Sequence, residues 1–269
     1  MQYSQLSALI RQKQSMLCVG LDSDLHHIPA HLLRSPDPIF EFNKQIIDAT
    51  YPYAVAYKPN LAFYEALGAR GWDSLARTME YMPKDVFRIA DAKRGDIGNT
   101  AALYARTFFE TLHFDAVTLS PYMGKDSITP FLEYPDKWVI VLARTSNAGG
   151  ADFQELKLQD GRHLYEAVIQ KSSQWSSHER MMYVVGATQS EAIRHIRQLI
   201  PKHFLLVPGV GAQGGDLRAV LQYGSNEHGG LLINSSRGII YASNGQDFAQ
   251  VASKVAQALQ EEIKQIMQW

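Results

Sequence analysis

Residues 86–96 read Val-Phe-Arg-Ile-Ala-Asp-Ala-Lys-Arg-Gly-Asp, and their character changes at residue 91. Val86 to Ala90 is a short, mostly apolar run of the kind that forms a buried strand. Asp91, Lys93 and Asp96 then place two carboxylates and an ammonium where that strand should give way to a helix, predicted over residues 97–112. Side chains two apart in a strand face the same side. That alternation points Asp91 and Lys93 together and leaves Asp96 in the turn beyond. Opposite charges this close keep each other ionised, so the lysine is a fixed, charged acid at neutral pH. The plainer alternative is a solvated ion network at a helix start, with Asp96 as the N-terminal cap. It accounts for Asp96 but not for two opposite charges in the inward register.

The same strand-then-helix unit recurs along the chain. Strands are predicted at residues 17–21, 53–57, 86–90, 116–119, 138–143, 183–186, 204–207 and 231–234. Helices are predicted at residues 39–49, 62–82 with breaks at Gly68 and Gly71, 97–112, 128–132, 163–174, 190–199, 217–222 and 248–267. Residues 1–14 also have a helical pattern. Apolar runs without alternation indicate a parallel sheet covered on both faces. Eight successive units favour an α/β fold of the single (β/α)8 TIM-barrel type over an open doubly wound sheet. One domain spanning residues 1–269 is expected, because no Pro-rich, Ser-rich or charge-block linker interrupts the chain.

Composition narrows the class. The chain has 269 residues, is 46% hydrophobic and carries a formal net charge of −1, which leaves no basic footprint for nucleic acid. The only cysteine, Cys18, lies inside an apolar run and reads as inert packing. The N-terminus is too polar for a signal peptide and no apolar run reaches spanning length. A cytoplasmic protein without membrane or nucleic-acid partners is expected. No zinc-ligand spacing and no nucleophile elbow occur.

Polar residues cluster where the strands end, which is where such barrels carry their chemistry. Asp22 ends the first strand, Lys58 the second, and Asp91 with Lys93 the third. Ser146 lies past the fifth, Gln213 past the seventh and Arg237 past the eighth. Residues 208–215, Pro-Gly-Val-Gly-Ala-Gln-Gly-Gly, contain a formal G-x-G-x-x-G. They follow the seventh strand instead of the first, and no acid-ended strand follows at the dinucleotide spacing. A phosphate loop or a plain surface loop therefore remains. Ser236, Arg237 and Gly238 lie opposite it, and the arginine fork suits phosphate oxygens. Pro59 holds Lys58 extended.

Taken together, Gly20–Leu21–Asp22, Lys58–Pro59, Asp91-x-Lys93-x-x-Asp96 with Thr100, Thr145–Ser146–Asn147, residues 208–215 and Ser236–Arg237–Gly238 resemble the orotidine 5′-phosphate decarboxylase family, in its longer bacterial branch. The related metal-dependent sugar-phosphate lyases carry an acid near the position of Lys58. The lysine fits the metal-free nucleotide enzymes. The resemblance implies a cofactor-free decarboxylase with Lys58, Asp91, Lys93 and Asp96 as a charged tetrad and Lys93 as proton donor. It implies Asp22 and Lys58 on the ribose, Ser146 (or its neighbour Thr145) on the pyrimidine, Gln213 and Arg237 on the phosphate, and Ser236 among the substrate-binding residues. It further implies a homodimer in which Asp96 and Thr100 reach the neighbouring subunit's site. No function is assigned to residues 149–179. A catalytically silent phosphate-ligand binder is the alternative from another class.

Overall fold

The structure, a computed structural model, describes residues 1–187, 190–210 and 216–269. Eight parallel strands close into a barrel in sequence order: β1 Leu17–Leu21, β2 Ala54–Pro59, β3 Phe87–Arg94, β4 Ala116–Leu119, β5 Trp138–Arg144, β6 Met181–Val185, β7 Phe204–Pro208 and β8 Leu231–Ser235. The ring closes where Leu17, Cys18 and Val19 pair with Ile233, Asn234 and Ser235. The (β/α)8 barrel expected from the sequence is therefore the observed fold, and each predicted strand has its counterpart.

The helices are α1 Tyr3–Lys13, α2 Pro38–Thr50, α3 Leu61–Glu65, α4 Ala69–Tyr81, α5 Gly98–Arg106, α6 Thr129–Leu132, α7 Leu164–Ser172, α8 Ser190–Leu199, α9 Leu217–Gly224, α10 Arg237–Ile240 and α11 Phe248–Met267. The helix predicted at residues 62–82 divides at Gly68, which has φ +63°, whereas Gly71 lies inside α4. The helix predicted to run to residue 112 ends its α-helical part at Arg106 and continues as a π-helical turn, Thr107–Thr111. The short α10 falls on residues that sequence periodicity leaves as loop, since four residues are too few to show a period.

The continuous apolar strands are buried on both faces, and β1, β2 and β4 are buried along their whole length. Each fully buried large aliphatic or aromatic side chain contributes about 1.5–3 kcal/mol. Helix α1 closes the end of the barrel where the strands begin. Its Tyr3 ring stacks on Trp138 and meets Phe204 edge-on, and the Met1 amino group lies 2.7 Å from Asp115 Oδ1. With that end filled, the ends at which the strands finish are the open face. Cys18 is buried, its thiol is pushed up to about 12 chiefly by desolvation, and its Sγ faces Asn234 Oδ1 at 3.6 Å. A thiol held protonated cannot be a nucleophile at neutral pH.

Candidate active site

Three charged side chains meet at the open face. Lys58 Nζ donates to Asp91 Oδ2 at 2.6 Å, and Lys93 Nζ donates to Asp91 Oδ1 at 2.5 Å. The Asp91 carboxylate therefore bridges two ammonium groups, one oxygen to each. Lys58 is 4% exposed and Asp91 9%, while the Lys93 side chain is 52% exposed. The pair Lys58–Asp91 is thus internal and Lys93 reaches outward from it. Burial alone would raise the Asp91 pKa, but the two lysines outweigh it and hold the carboxyl at about 2. Burial likewise opposes charge on Lys58, yet Asp91 and Asp22 reverse the balance and raise its pKa. Both groups stay ionised at neutral pH in a place where neither could do so alone.

Simple strand alternation is not what brings Asp91 and Lys93 together. Ala90 pairs with Val117 and Arg94 with Leu119, so residues 91–93 of β3 face Thr118 alone on β4. This is a bulge, and Lys93 takes φ +48°, a left-handed conformation unusual for a side-chain-bearing residue. The juxtaposition expected from the sequence is present, but a kinked backbone produces it. A lysine held this way has its side chain aimed by the main chain and not by packing.

Asp22 borders the cluster from the end of β1. Its Oδ1 is buried without a hydrogen-bond partner among the described residues. Burial raises the Asp22 pKa, with Lys58 and the Ser236 hydroxyl working against it. An orphaned carboxylate oxygen facing the mouth suits a ligand hydroxyl. Its loop is pinned by Tyr241, whose hydroxyl donates to Asp22 O and accepts from Asp24 N, both at 2.7 Å. Two glycines let the rim close in. A Cβ on Gly20 would lie 1.8 Å from Ser236 Oγ, and one on Gly186 would lie 2.7 Å from Ser146 Cβ.

At the β5 end the structure separates Thr145 from Ser146. The Thr145 hydroxyl donates to Asn147 Oδ1 at 2.6 Å and accepts from Gln154 Nε2 at 2.8 Å, while Gln154 Oε1 accepts from Thr145 N at 2.8 Å. Thr145 is therefore committed to its own loop. Arg237 is exposed at the start of α10 and forms no ion pair among the described residues. Gln213 and residues 211–215 of the glycine loop lie outside the described residues. Asp96 is not brought to the cluster within its own chain. Its Oδ1 accepts from Ile97 N at 2.8 Å, but the N-cap of α5 is Ile97 without a side-chain bond. The capping role offered for Asp96 is thus not observed. Thr100 is exposed in the first turn of the same helix.

Thr118, Gln154 and Tyr241 carry no signal in the sequence that marks them as site residues. A cavity of about 1000 Å³ between the start of α2 and α4, lined by Asp37, Arg70 and Arg77, contains none of the charged cluster.

A family model described as orotidine 5′-phosphate decarboxylase / HUMPS family matches residues 15–251. The chain belongs to that family. It is 57% identical over 270 residues to orotidine 5′-phosphate decarboxylase of Phocaeicola vulgatus, covering 99% of each chain. The solved structure of Leishmania donovani OMP decarboxylase superposes with a TM-score of 0.81 at 40% identity, over 97% of this chain and 99% of that one. The Plasmodium berghei orotidine 5′-monophosphate decarboxylase gives a TM-score of 0.85 at 25% identity, over 99% and 98%. Like this chain, the relatives so named are matched along nearly their whole length.

The raised Asp22 pKa has a consequence for stability. The unfolded chain releases this proton at lower pH than the folded one, so ionisation favours unfolding and the full cost is present above both pKa values. Asp22→Asn is expected to raise the melting temperature at pH 7, with the gain shrinking as the pH falls toward 4 and below. Thermal unfolding at both ends of that window checks it, and a lower melting temperature at pH 7 would contradict it.

Proposed function

We propose that this protein, folded as one domain over residues 1–269, decarboxylates orotidine 5′-monophosphate to uridine 5′-monophosphate in pyrimidine biosynthesis. The observation that carries the reading is the Asp91 carboxylate fixed between the Lys58 and Lys93 ammonium groups at the barrel mouth. Membership of the family and 57% identity to a curated decarboxylase support the substrate.

The chemistry follows from charge. Breaking the bond between C6 of the pyrimidine and its carboxylate releases CO2 and leaves the electron pair at C6. The Lys93 ammonium stabilises that developing carbanion and then transfers a proton to it, and Lys93 regains its proton from solvent. A pre-set ion arrangement does this without reorganising at the moment of reaction. Asp91 faces the departing carboxylate and holds Lys93 in place. Asp22 and Lys58 hold the ribose hydroxyls, which gives the orphaned Asp22 oxygen a donor. Ser146 meets the pyrimidine edge. Gln213, Ser236 and Arg237 hold the phosphate, whose binding energy closes the site around the base. No cofactor or metal takes part.

The active form is a homodimer in which Asp96 and Thr100 complete the partner's site, Asp96 as the fourth charge of the tetrad. Two observations support this. Asp96 makes no ion pair with the cluster of its own chain among the described residues. Beside it lie exposed apolar side chains, Ile97 and Leu103 around α5 and Tyr122 and Met123 after β4, with Tyr122 86% exposed. The protein is expected to work in the cytoplasm. Among the described residues no helix is long and apolar enough to cross a membrane.

Chelator-treated protein is expected to consume orotidine 5′-monophosphate, followed by the change in pyrimidine absorbance. Lys93→Ala should abolish turnover while still binding uridine 5′-monophosphate. Binding without turnover by the unsubstituted protein, or near-normal turnover by Lys93→Ala, would overturn the assignment. For the shared site, mixing Lys93→Ala with Asp96→Ala subunits should restore activity in mixed dimers, because one site in each is intact. Confirmed mixing with no recovery would place Asp96 outside the partner's site.

A further inference from the structure

We infer that Thr118, on β4, is a positioning residue for the reaction proposed above: its hydroxyl holds the backbone turn that aims Lys93 and braces the carboxylate that Lys93 meets. The inference rests on the decarboxylase reading and adds a residue from a strand that contributes none of the charged groups.

The bulge in β3 creates the need. Residues 91–93 face Thr118 alone, so the regular ladder cannot satisfy every backbone group there. Thr118 Oγ1 accepts from Ala92 N at 3.0 Å and from Lys93 N at 2.9 Å, filling both lone pairs. Its single proton has two acceptors in reach, Asp91 Oδ1 at 3.2 Å and Ala90 O at 3.5 Å, and the nearer, charged one is favoured. The residue is 1% exposed, so water does not substitute for any of these bonds.

The peptide unit between Ala92 and Lys93 is the one whose setting fixes Lys93. Its N–H is held by Thr118, and its carbonyl accepts from Arg94 Nη1 at 3.0 Å. Arg94 is itself anchored by an ion pair with Glu65 at the end of α3 and lies over the Tyr104 ring. That peptide is pinned at both ends, and beyond Lys93 the chain is held again where Arg94 O accepts from Ser120 N at 2.8 Å, so the φ of +48° is held from both sides. Such a conformation persists only where the surroundings impose it. The same hydroxyl touches Asp91 on the oxygen that receives Lys93. One buried oxygen therefore sets both members of the catalytic pair.

A valine at this site keeps the shape and loses all three bonds, whereas a serine keeps the oxygen. Thr118→Val is expected to lower kcat at least tenfold with KM changed less than threefold, and Thr118→Ser to stay within threefold of the unsubstituted enzyme in both. A merely structural role would not give loss in kcat alone with rescue by serine. A crystal structure of Thr118→Val is the arm that does not depend on activity: Lys93 should leave the left-handed region or Nζ should leave Asp91. If Thr118→Val is insoluble, Thr118→Cys, of similar size with a poor acceptor, takes its place with the same expectations. An active unsubstituted enzyme with a folded variant of unchanged kcat, or a variant structure with Lys93 unmoved, would overturn the inference. An inactive unsubstituted enzyme would instead overturn the decarboxylase reading and leave the structural arm to decide Thr118.

Discussion

One carboxylate shared by two ammonium groups organises the open face of this barrel. Asp91 is almost wholly buried, and so is Lys58. Neither charge is tolerable in that place by itself, since an unpaired buried ion costs several kcal/mol. Together they form an internal pair, and Lys93 adds a third charge that leans from solvent onto the same carboxylate. The arrangement fixes what the surroundings must supply. β2 must end in an extended residue, β3 must bulge, and β4 must offer a polar atom to the bulge. Pro59, the left-handed Lys93 and Thr118 meet those three demands.

The barrel gives these charges their setting. Helix α1 and the aromatic side chains at the strand starts fill one end. The Lys58–Asp91–Lys93 cluster sits at the other, where eight strand ends converge. Gly20 and Gly186 give up side chains so that Ser236 and Ser146 can approach across neighbouring strands. Among the described residues, the rim keeps an unsatisfied buried acceptor on Asp22. Folding tolerates such an oxygen at a cost, and a site that binds hydroxyl-bearing ligands gains from it.

Much of this was legible in the sequence because continuous apolar runs do not depend on tertiary context. All eight strands could be placed, and the charged residues Asp22, Lys58, Asp91 and Lys93 could be assigned to strand ends. Strand limits were less legible. β3 continues through the charged residues to Arg94, because the bulge keeps pairing alive past Ala90. Alternation correctly joined Asp91 to Lys93 but for a reason the backbone does not obey. Thr118 was invisible for a plain cause: a threonine within an apolar strand reads as a β-branched residue, and its hydroxyl acquires meaning only from the bulge beside it. Gln154 was hidden likewise, since its partner Thr145 is met through a loop fold that no periodicity records. Asp96 shows the converse, a motif residue that its own chain leaves away from the cluster.

The shared carboxylate depends on the charge state of Asp91, whose carboxyl carbon can be followed directly by NMR titration of the ligand-free protein. Asp91 is expected to titrate at about 2, moving up toward the ordinary carboxylate range in Lys58→Met. A carboxyl that titrates near the ordinary value of about 4 in the unsubstituted protein, unmoved by Lys58→Met, would contradict a carboxylate held ionised between two ammonium groups.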